Sequence, residues 1–390
     1  MSDDTIVRVA ARGDGMTADG RHAAFAAPGD TLLATGSIQP GPHHQVPPCR
    51  HFPTCGGCQL QHLDDQSYAG FVADRVASAL DAQGLAAPLR PVHLSAPRTR
   101  RRATLHAEAK SGRVAIGFNA AASHAIVDLA ECWILSPPLF ALVQPLRRLL
   151  QQLGLRRRAS VQMTLVDQGI DLLIAGLAAD GLRAAETVTA FCEANGVARL
   201  SFDEGLGPET RWEPQPVTVT LGGVPVPFPP AGFLQATADG EAALVAAVHE
   251  AVNGASTTAD LFAGLGTFAL TLPGRVYAAE GARDAALALK AAGRGVFVEH
   301  RDLFRRPLTV AELDRFDAVV LDPPRAGARE QVQSLAACRI GRLAYVSCNP
   351  ASFARDAAVL VAGGWQLDWV RPVGQFRWST HVELAARFSR

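Results

Sequence analysis

The chain reads as an α/β protein: a doubly wound domain towards its C-terminal end, preceded by an α+β middle region and a short β segment. Three observations carry that expectation. From about residue 232, strand-like apolar runs at 275–279, 295–299, 317–321, 342–347 and 365–371 alternate with helical spacing, and a last run lies near 381–388. Between 96 and 220 the apolar residues recur with period two, as in Val114, Ile116 and Phe118, interrupted by helical stretches near 138–153 and 181–195. The 390 residues, 48% hydrophobic and 19% charged, suffice for more than one buried core at roughly 150 residues per domain. That charged share lies below the usual figure of about 25% and excludes a self-repelling disordered chain.

The elements can be taken in order. In 1–45, Ile6, Val7 and Val9 begin a strand, Gly13-Asp14-Gly15 and Pro28-Gly29-Asp30 make turns, and Thr31 to Thr35 form another strand. A cysteine-rich knot occupies 49–58. Phe71, Val72, Val76, Ala79 and Leu80 then share one helical face between about 64 and 83, and Gly84 stops it. The parsing is 1–45 as a reduced β segment, 46–230 as a central domain whose helix 64–83 is free to pack on the next domain, and 231–390 as the doubly wound domain.

Charge narrows the function classes. Lys+Arg and Asp+Glu are both 37, which excludes a wholesale basic nucleic-acid binder but not a local basic face. Lys110 and Lys290 are the only lysines, so Arg98, Arg100 to Arg102, Arg156 to Arg158, and Arg305 with Arg306 are the candidates for phosphate contact. The acidic start and the interrupted apolar stretch 125–146 point to neither export nor a membrane span, and the expected location is cytoplasmic.

Five motifs carry chemistry. Cys49, Cys55 and Cys58 lie within ten residues beside Gly56 and Gly57, and Cys132 stands farther on. Four thiolates suit a 4Fe–4S cluster or a zinc ion equally on ligand count. Cys192 and Cys338 read as core residues. Asp260-Leu261-Phe262-Ala263-Gly264-Leu265-Gly266 is a strand ending in an acid and a glycine loop. Glu280 ends the next strand and Asp302 comes after the third. Acid, glycine loop, acid and acid fit a nucleoside better than a dinucleotide, because the full G-x-G-x-x-G is absent; S-adenosylmethionine suits the pattern. Asp322-Pro323-Pro324-Arg325 sits at a strand end, where such sheets bind ligands. Cys348, in Ser347-Cys348-Asn349-Pro350, lies at the same edge and reads as a nucleophile. His381 and Glu383 alternate onto one face of the last strand, where a shielded Glu383 could serve as a base.

These residues, with Phe233-Leu234-Gln235, resemble in order and across nearly the whole chain the S-adenosylmethionine-dependent RNA uracil-5-methyltransferases, most closely the iron–sulfur kind acting on 23S ribosomal RNA. The resemblance implies a Rossmann-like methyltransferase domain, an α+β domain holding a 4Fe–4S cluster on Cys49, Cys55, Cys58 and Cys132, and a short TRAM-like β segment. It implies methyl-donor contacts from Gln235, Asp260, Gly264, Gly266, Glu280, Asp302 and Asp322. It implies Cys348 as nucleophile adding to carbon 6 of uracil, Glu383 as base, and Arg101 and Phe233 near the target nucleotide. The expected partner is RNA, ribosomal in kind, with neither DNA nor membrane, for a monomeric enzyme. Thr237 stands where the family usually has asparagine. The competing readings are a transfer-RNA uridine-5 methyltransferase and a non-catalytic iron–sulfur RNA-binding protein.

Overall fold

The computed structural model describes residues 4–110 and 112–390. Residues 4–45 form a small five-stranded sheet of Asp4–Val9, Gly15–Thr17, His22–Ala23, Thr31–Leu32 and Ile38–Gln39 around Ile6, Ala23, Ala26 and Leu32. The strand expected over 31–35 stops at Leu32, because Leu33 N–H donates to the Ser37 carbonyl and Gly36 N–H to the Leu33 carbonyl, closing a turn. Buried Asp30 ties the sheet to the segment leading into the cysteine loop: its carboxylate accepts from Ala27 N–H, Gly41 N–H and the His44 ring.

The middle region is a six-stranded mixed sheet in the order Glu209–Trp212, Val197–Asp203, Gly169–Ala175, Ala159–Val166, Arg102–Lys110, Arg113–Gly117. Its period-two pattern turns Ala103, Leu105 and Ala107 inward, against Leu146, Leu149 and Leu150 of the helix Val143–Gln152. The helical stretch expected over 138–153 is two helices, Pro137–Ala141 and Val143–Gln152, meeting at Leu142. Leu182–Asn195 ends on Gly196 in the left-handed region, which glycine takes without steric cost.

The third unit is an eight-stranded sheet: Phe297–His300, Arg275–Glu280, Thr257–Leu261, Ala318–Leu321, Arg342–Ser347, Glu383–Ser389, Gln366–Gly374, His93–Leu94. The first five strands run parallel; Glu383–Ser389 runs antiparallel to both of its neighbours. Chain order reverses between Thr257–Leu261 and Ala318–Leu321, so the crevice for a ligand opens at their carboxyl ends. The helix Asp65–Asp81 and the strand His93–Leu94, though early in sequence, belong to this unit. Tyr68, Phe71, Val72, Val76 and Leu80 enter one core with Phe353, Ala357, Leu360 and Val370. Among the described residues no helix is long and apolar enough to cross a membrane.

Candidate active site

Strand ends gather the sequence-marked acids on one edge. Asp260 lies in Thr257–Leu261, Glu280 ends Arg275–Glu280, Asp322 comes directly after Ala318–Leu321, and Cys348 directly after Arg342–Ser347. The antiparallel strand delivers Glu383 to this edge with its first residue, since Leu384 pairs with Ser347. The last strand begins at Glu383, not 381. His381 stands in the preceding loop, edge-on to Phe376 at 5.9 Å between ring centroids, yet still lines the same cleft.

Asn349 secures the turn that carries Cys348. Its Oδ1 caps the helix Pro350–Ala362 by accepting from Ala351 N–H at 3.1 Å, and its Nδ2 donates to the Arg325 carbonyl at 2.9 Å. Pro350 takes the first helical position, where no N–H is needed. One side chain thus locks the Asp322–Arg325 loop against the Cys348 turn.

Cys348, Glu383, Arg102, Arg325, Phe233 and His381 line a cleft of about 560 Å3. Burial, then the nearby Glu383 and Asp322, push the Cys348 thiol up to about 11, while Arg325 opposes the rise. Glu383 is pushed up to about 8 by burial and Asp322, against Gln375, Arg102 and Arg325. Asp322 rises to about 7 through burial and Glu280. Asp260 rises to about 8 through burial and Asp322. Asp260, Asp322 and Glu383 therefore crowd one edge together with Glu280, and each of the three is pushed up by a neighbouring carboxylate.

The loop after Asp260 explains its glycines unequally. Asp260 Oδ2 accepts from Ala269 N–H at 2.8 Å, while its buried Oδ1 has no partner among the described residues. Gly264 N–H donates to Glu280 Oε2 at 2.7 Å, and a side chain on Gly264 would meet nothing within 4 Å, so its backbone is open to a ligand. Gly266 meets a steric need as well: a Cβ there would lie 2.4 Å from Leu289 Cδ1, so this glycine lets the helix Arg283–Ala291 pack close. Asp302 accepts from Phe304 N–H at 3.0 Å, and Phe304 sits 5.3 Å from Phe262 between ring centroids, an aromatic pair beside the acid. Gln235 is buried, its Oε1 accepting from Gln375 Nε2 at 2.8 Å. Thr237 caps the helix Ala238–Ala251 and shares a 2.8 Å hydrogen bond with Ser95, a structural use that threonine serves well.

Arg101 is not in the cleft. Its guanidinium is held by Glu241 at 2.6 Å and by the Gln235 carbonyl at 3.0 Å. Its neighbour Arg102 faces the cleft instead, 4.4 Å above the Phe233 ring, and burial draws its guanidinium down to about 10. Phe233 is exposed. Gln375 and Arg325 are functional candidates that sequence reasoning missed, while Arg102, marked there only within a run for phosphate contact, lines the cleft itself. Arg325 stood within a marked motif, whereas nothing local distinguishes Gln375.

Cys49, Cys55, Cys58 and Cys132 line a second, small cavity with Phe118, Leu129 and Ile134. Burial raises all four thiols, Cys58 to about 12 and Cys132 to about 11. Backbone N–H groups of His51 and Phe52 face the Cys49 sulfur, that of Gly57 faces Cys55, and those of Leu135 and Ile134 face Cys132. Among the described residues no group of three His, Cys, Asp or Glu side chains is set to hold a metal ion. Cys192 and Cys338 are core residues. The cysteine loop also reaches the catalytic edge: Gln59 and Leu60 N–H groups donate to the Trp378 carbonyl at 2.8 and 3.0 Å, and Tyr68 Oη donates to the Phe376 carbonyl at 3.0 Å.

The tRNA (uracil-5-)-methyltransferase family model matches residues 296–389, the stretch that carries Asp302, Asp322, Cys348 and Glu383. An RNA methyltransferase of Zymomonas mobilis is 52% identical over 393 residues, covering 99% of each chain. The 23S rRNA (uracil(1939)-C(5))-methyltransferase RlmD of Pseudomonas entomophila is 32% identical over 378 residues, covering 90% of this chain and 81% of that one.

The chain belongs to the RNA uracil-5-methyltransferase family.

It is an S-adenosylmethionine-dependent RNA (uracil-5-)-methyltransferase. The fold agrees: the Pyrococcus abyssi tRNA (uracil-54, C5)-methyltransferase, solved with S-adenosyl-L-homocysteine, superposes with a TM-score of 0.75 at 21% identity, covering 99% of both chains. The methyltransferase edge fits its cofactor on its own geometry. A sulfonium is a cation, and the crevice offers the neighbouring carboxyls Glu280 and Asp322, an open Gly264 backbone and an aromatic pair beside Asp302.

Proposed function

We propose that the enzyme methylates carbon 5 of a uridine in 23S ribosomal RNA through a covalent Cys348 adduct, and that Cys49, Cys55, Cys58 and Cys132 hold a 4Fe–4S cluster. The observation that carries the catalytic part is that Cys348 and Glu383 line one cleft together, with Arg325 and Arg102 beside them. Carbon 5 of uracil is too weak a nucleophile to be methylated directly. The Cys348 thiolate adds to carbon 6, and the electron pair moves to carbon 5 and the carbonyl as an enolate. When bound, S-adenosylmethionine supplies an electrophilic methyl group, which carbon 5 takes. Glu383 then removes the carbon-5 proton, the carbon 5–carbon 6 double bond reforms, and the thiolate leaves. Arg325 draws both the thiol and the carboxyl towards their ionised forms. The target base enters unpaired or flipped, since the thiol lies inside a cleft. Phe233 and Arg102 are placed to flank it.

Gln235, Gly264, Glu280, Asp302 and Asp322 are the donor contacts in this reading. Asp260 is fully buried and acts from behind, fixing the turn at Ala269.

The ribosomal assignment is supported by the RlmD relative. Transfer RNA is the second reading, favoured by the name of the matching family model. Four thiols around one cavity, with backbone N–H groups facing three of them, support the cluster over buried core cysteines. The small N-terminal sheet is read as a shortened TRAM-type segment. Mapping 5-methyluridine in total RNA from cells with and without the protein tests the substrate. One site lost from 23S RNA is the expected result; a lost transfer-RNA site selects the second reading, and no lost site overturns both.

A further inference from the structure

The catalytic cleft does not end at the catalytic residues. A second cavity of about 390 Å3 adjoins it and shares Gly56, Gln59, Thr104 and Phe118 with it, so the two form one groove. Its bed is the strand Arg102–Lys110. The burial pattern turns Ala103, Leu105 and Ala107 into the core, so Arg102, Thr104 and His106 point outward in line. Arg102 lies in the catalytic cleft, Thr104 lies in both cavities and His106 lies in the second. At about 3.4 Å per residue, this row runs roughly 14 Å away from the catalytic residues.

The far end is basic. Ala159 pairs with Ala107, which brings the Arg156–Arg158 run alongside the His106 end of the groove. Arg158 is anchored there, donating to the His124 carbonyl at 2.6 Å and to Asn119 Oδ1. Arg156 and Arg157 are exposed and have no ion pair among the described residues. Among the described residues no carboxylate lines the second cavity, whereas Phe118 and His106 give it flat rings. The wall on the cysteine-loop side must come close: a Cβ on Gly56 would lie 2.8 Å from the Asn119 carbonyl oxygen.

We propose that this groove is a subsite for the single-stranded nucleotides flanking the target uridine. Their bases lie along Thr104, His106 and Phe118, and their phosphates meet Arg156 and Arg157. The inference rests on the reading of the cleft as the uridine site. It gives the Arg156–Arg158 run a use that the methyl-transfer chemistry does not. Ring stacking and backbone cations together are the chemistry by which single strands are held.

The test uses the full chain, fluorescein-labelled oligouridylates and anisotropy between about 50 and 200 mM salt. A nonamer should bind the wild type at least about tenfold more tightly than a trimer. Arg156→Ala/Arg157→Ala should lose that gain while binding the trimer as before. Its plot of log affinity against log salt should be shallower by about 1.4, at about 0.7 per phosphate contact on a single strand. His106→Ala should weaken the nonamer without changing the slope. A double variant with wild-type nonamer affinity and slope overturns the proposal, as does a wild type that binds both lengths equally. Formation of 5-methyluridine by the wild type is scored separately. Product formed while the variant's slope is unaltered rejects the groove alone; no product with an altered slope rejects the uridine-site reading alone.

Discussion

The enzyme contains two chambers of buried acids, and they differ in how they are built. At the sheet edge, Asp260, Glu280, Asp322 and Glu383 are carried on the ends of strands, and Cys348 sits on a turn locked by Asn349. In the other chamber, Cys49, Cys55 and Cys58 lie on a loop outside any strand, and Cys132 comes from a second irregular segment. Burial raises Asp260, Asp322 and Glu383 at the edge and all four thiols in the chamber. At the edge Cys348 and Glu383 line a wide cleft, whereas the space between the four thiols is small. An open acidic edge on rigid strands suits a cationic ligand that comes and goes. A small thiol chamber on loops suits a resident group that orders the loops around it. The hydrogen bonds from Gln59 and Leu60 to the Trp378 carbonyl join the two, because residues 375–382 also carry Gln375 and His381.

The largest effect that can break this division is chemical. Cys348→Ala should lower methyl transfer by more than about a thousandfold while leaving S-adenosylmethionine binding and the absorption spectrum unchanged. Turnover retained in a radiolabelled methyl-transfer assay would remove Cys348 as the nucleophile.

A smaller effect tests the acidic edge. Asp260, Asp322 and Glu383 have raised folded-state values of about 8, 7 and 8. In the unfolded chain they ionise near pH 4, so from there to about pH 8 the unfolded state loses protons first and the unliganded fold loses stability. A bound sulfonium favours their ionised forms, so binding releases protons. Calorimetric affinity for S-adenosylmethionine should rise from pH 5.5 to pH 8, by up to about tenfold per unit for each proton released. Affinity that is flat or falls over that range would contradict a cation-seeking edge.

The smallest effect belongs to the thiol chamber. Cys132→Ser should bleach the visible absorption of the purified protein and lower its unfolding midpoint by a few degrees, on the order of 1–3 kcal/mol, with donor binding unchanged. An unchanged spectrum would show that Cys132 is not a ligand.

Much of the catalytic edge was legible because strand-end acids come after apolar runs, and an apolar run is a local signal. Asp260, Glu280, Asp322 and Cys348 are all of this kind. What escaped depended on register or on distance. Arg101 and Arg102 are neighbours in a run of cations. The strand starts at Arg102, and parity alone sends one side chain into the cleft and leaves the other with Glu241. Gly264 and Gly266 look alike in sequence, but a Cβ would meet nothing within 4 Å at the first and Leu289 at the second, a difference only the packed structure reports. Gln375 is joined to Gln235 across 140 residues of chain, a separation no local pattern reports. The small strand His93–Leu94 joins a sheet whose other strands begin at Thr257, so its membership is a tertiary fact.

The central claim is that Cys348 and Glu383 act in succession on one uracil ring. Glu383→Gln separates the two steps, because thiolate addition and methyl transfer need no base while release does. The measurement is mass spectrometry of denatured Glu383→Gln after incubation with S-adenosylmethionine and its RNA. A methylated uridine adduct on the Cys348 peptide is the expected result, absent from Cys348→Ala/Glu383→Gln. Full turnover by Glu383→Gln with no denaturant-resistant complex would contradict it.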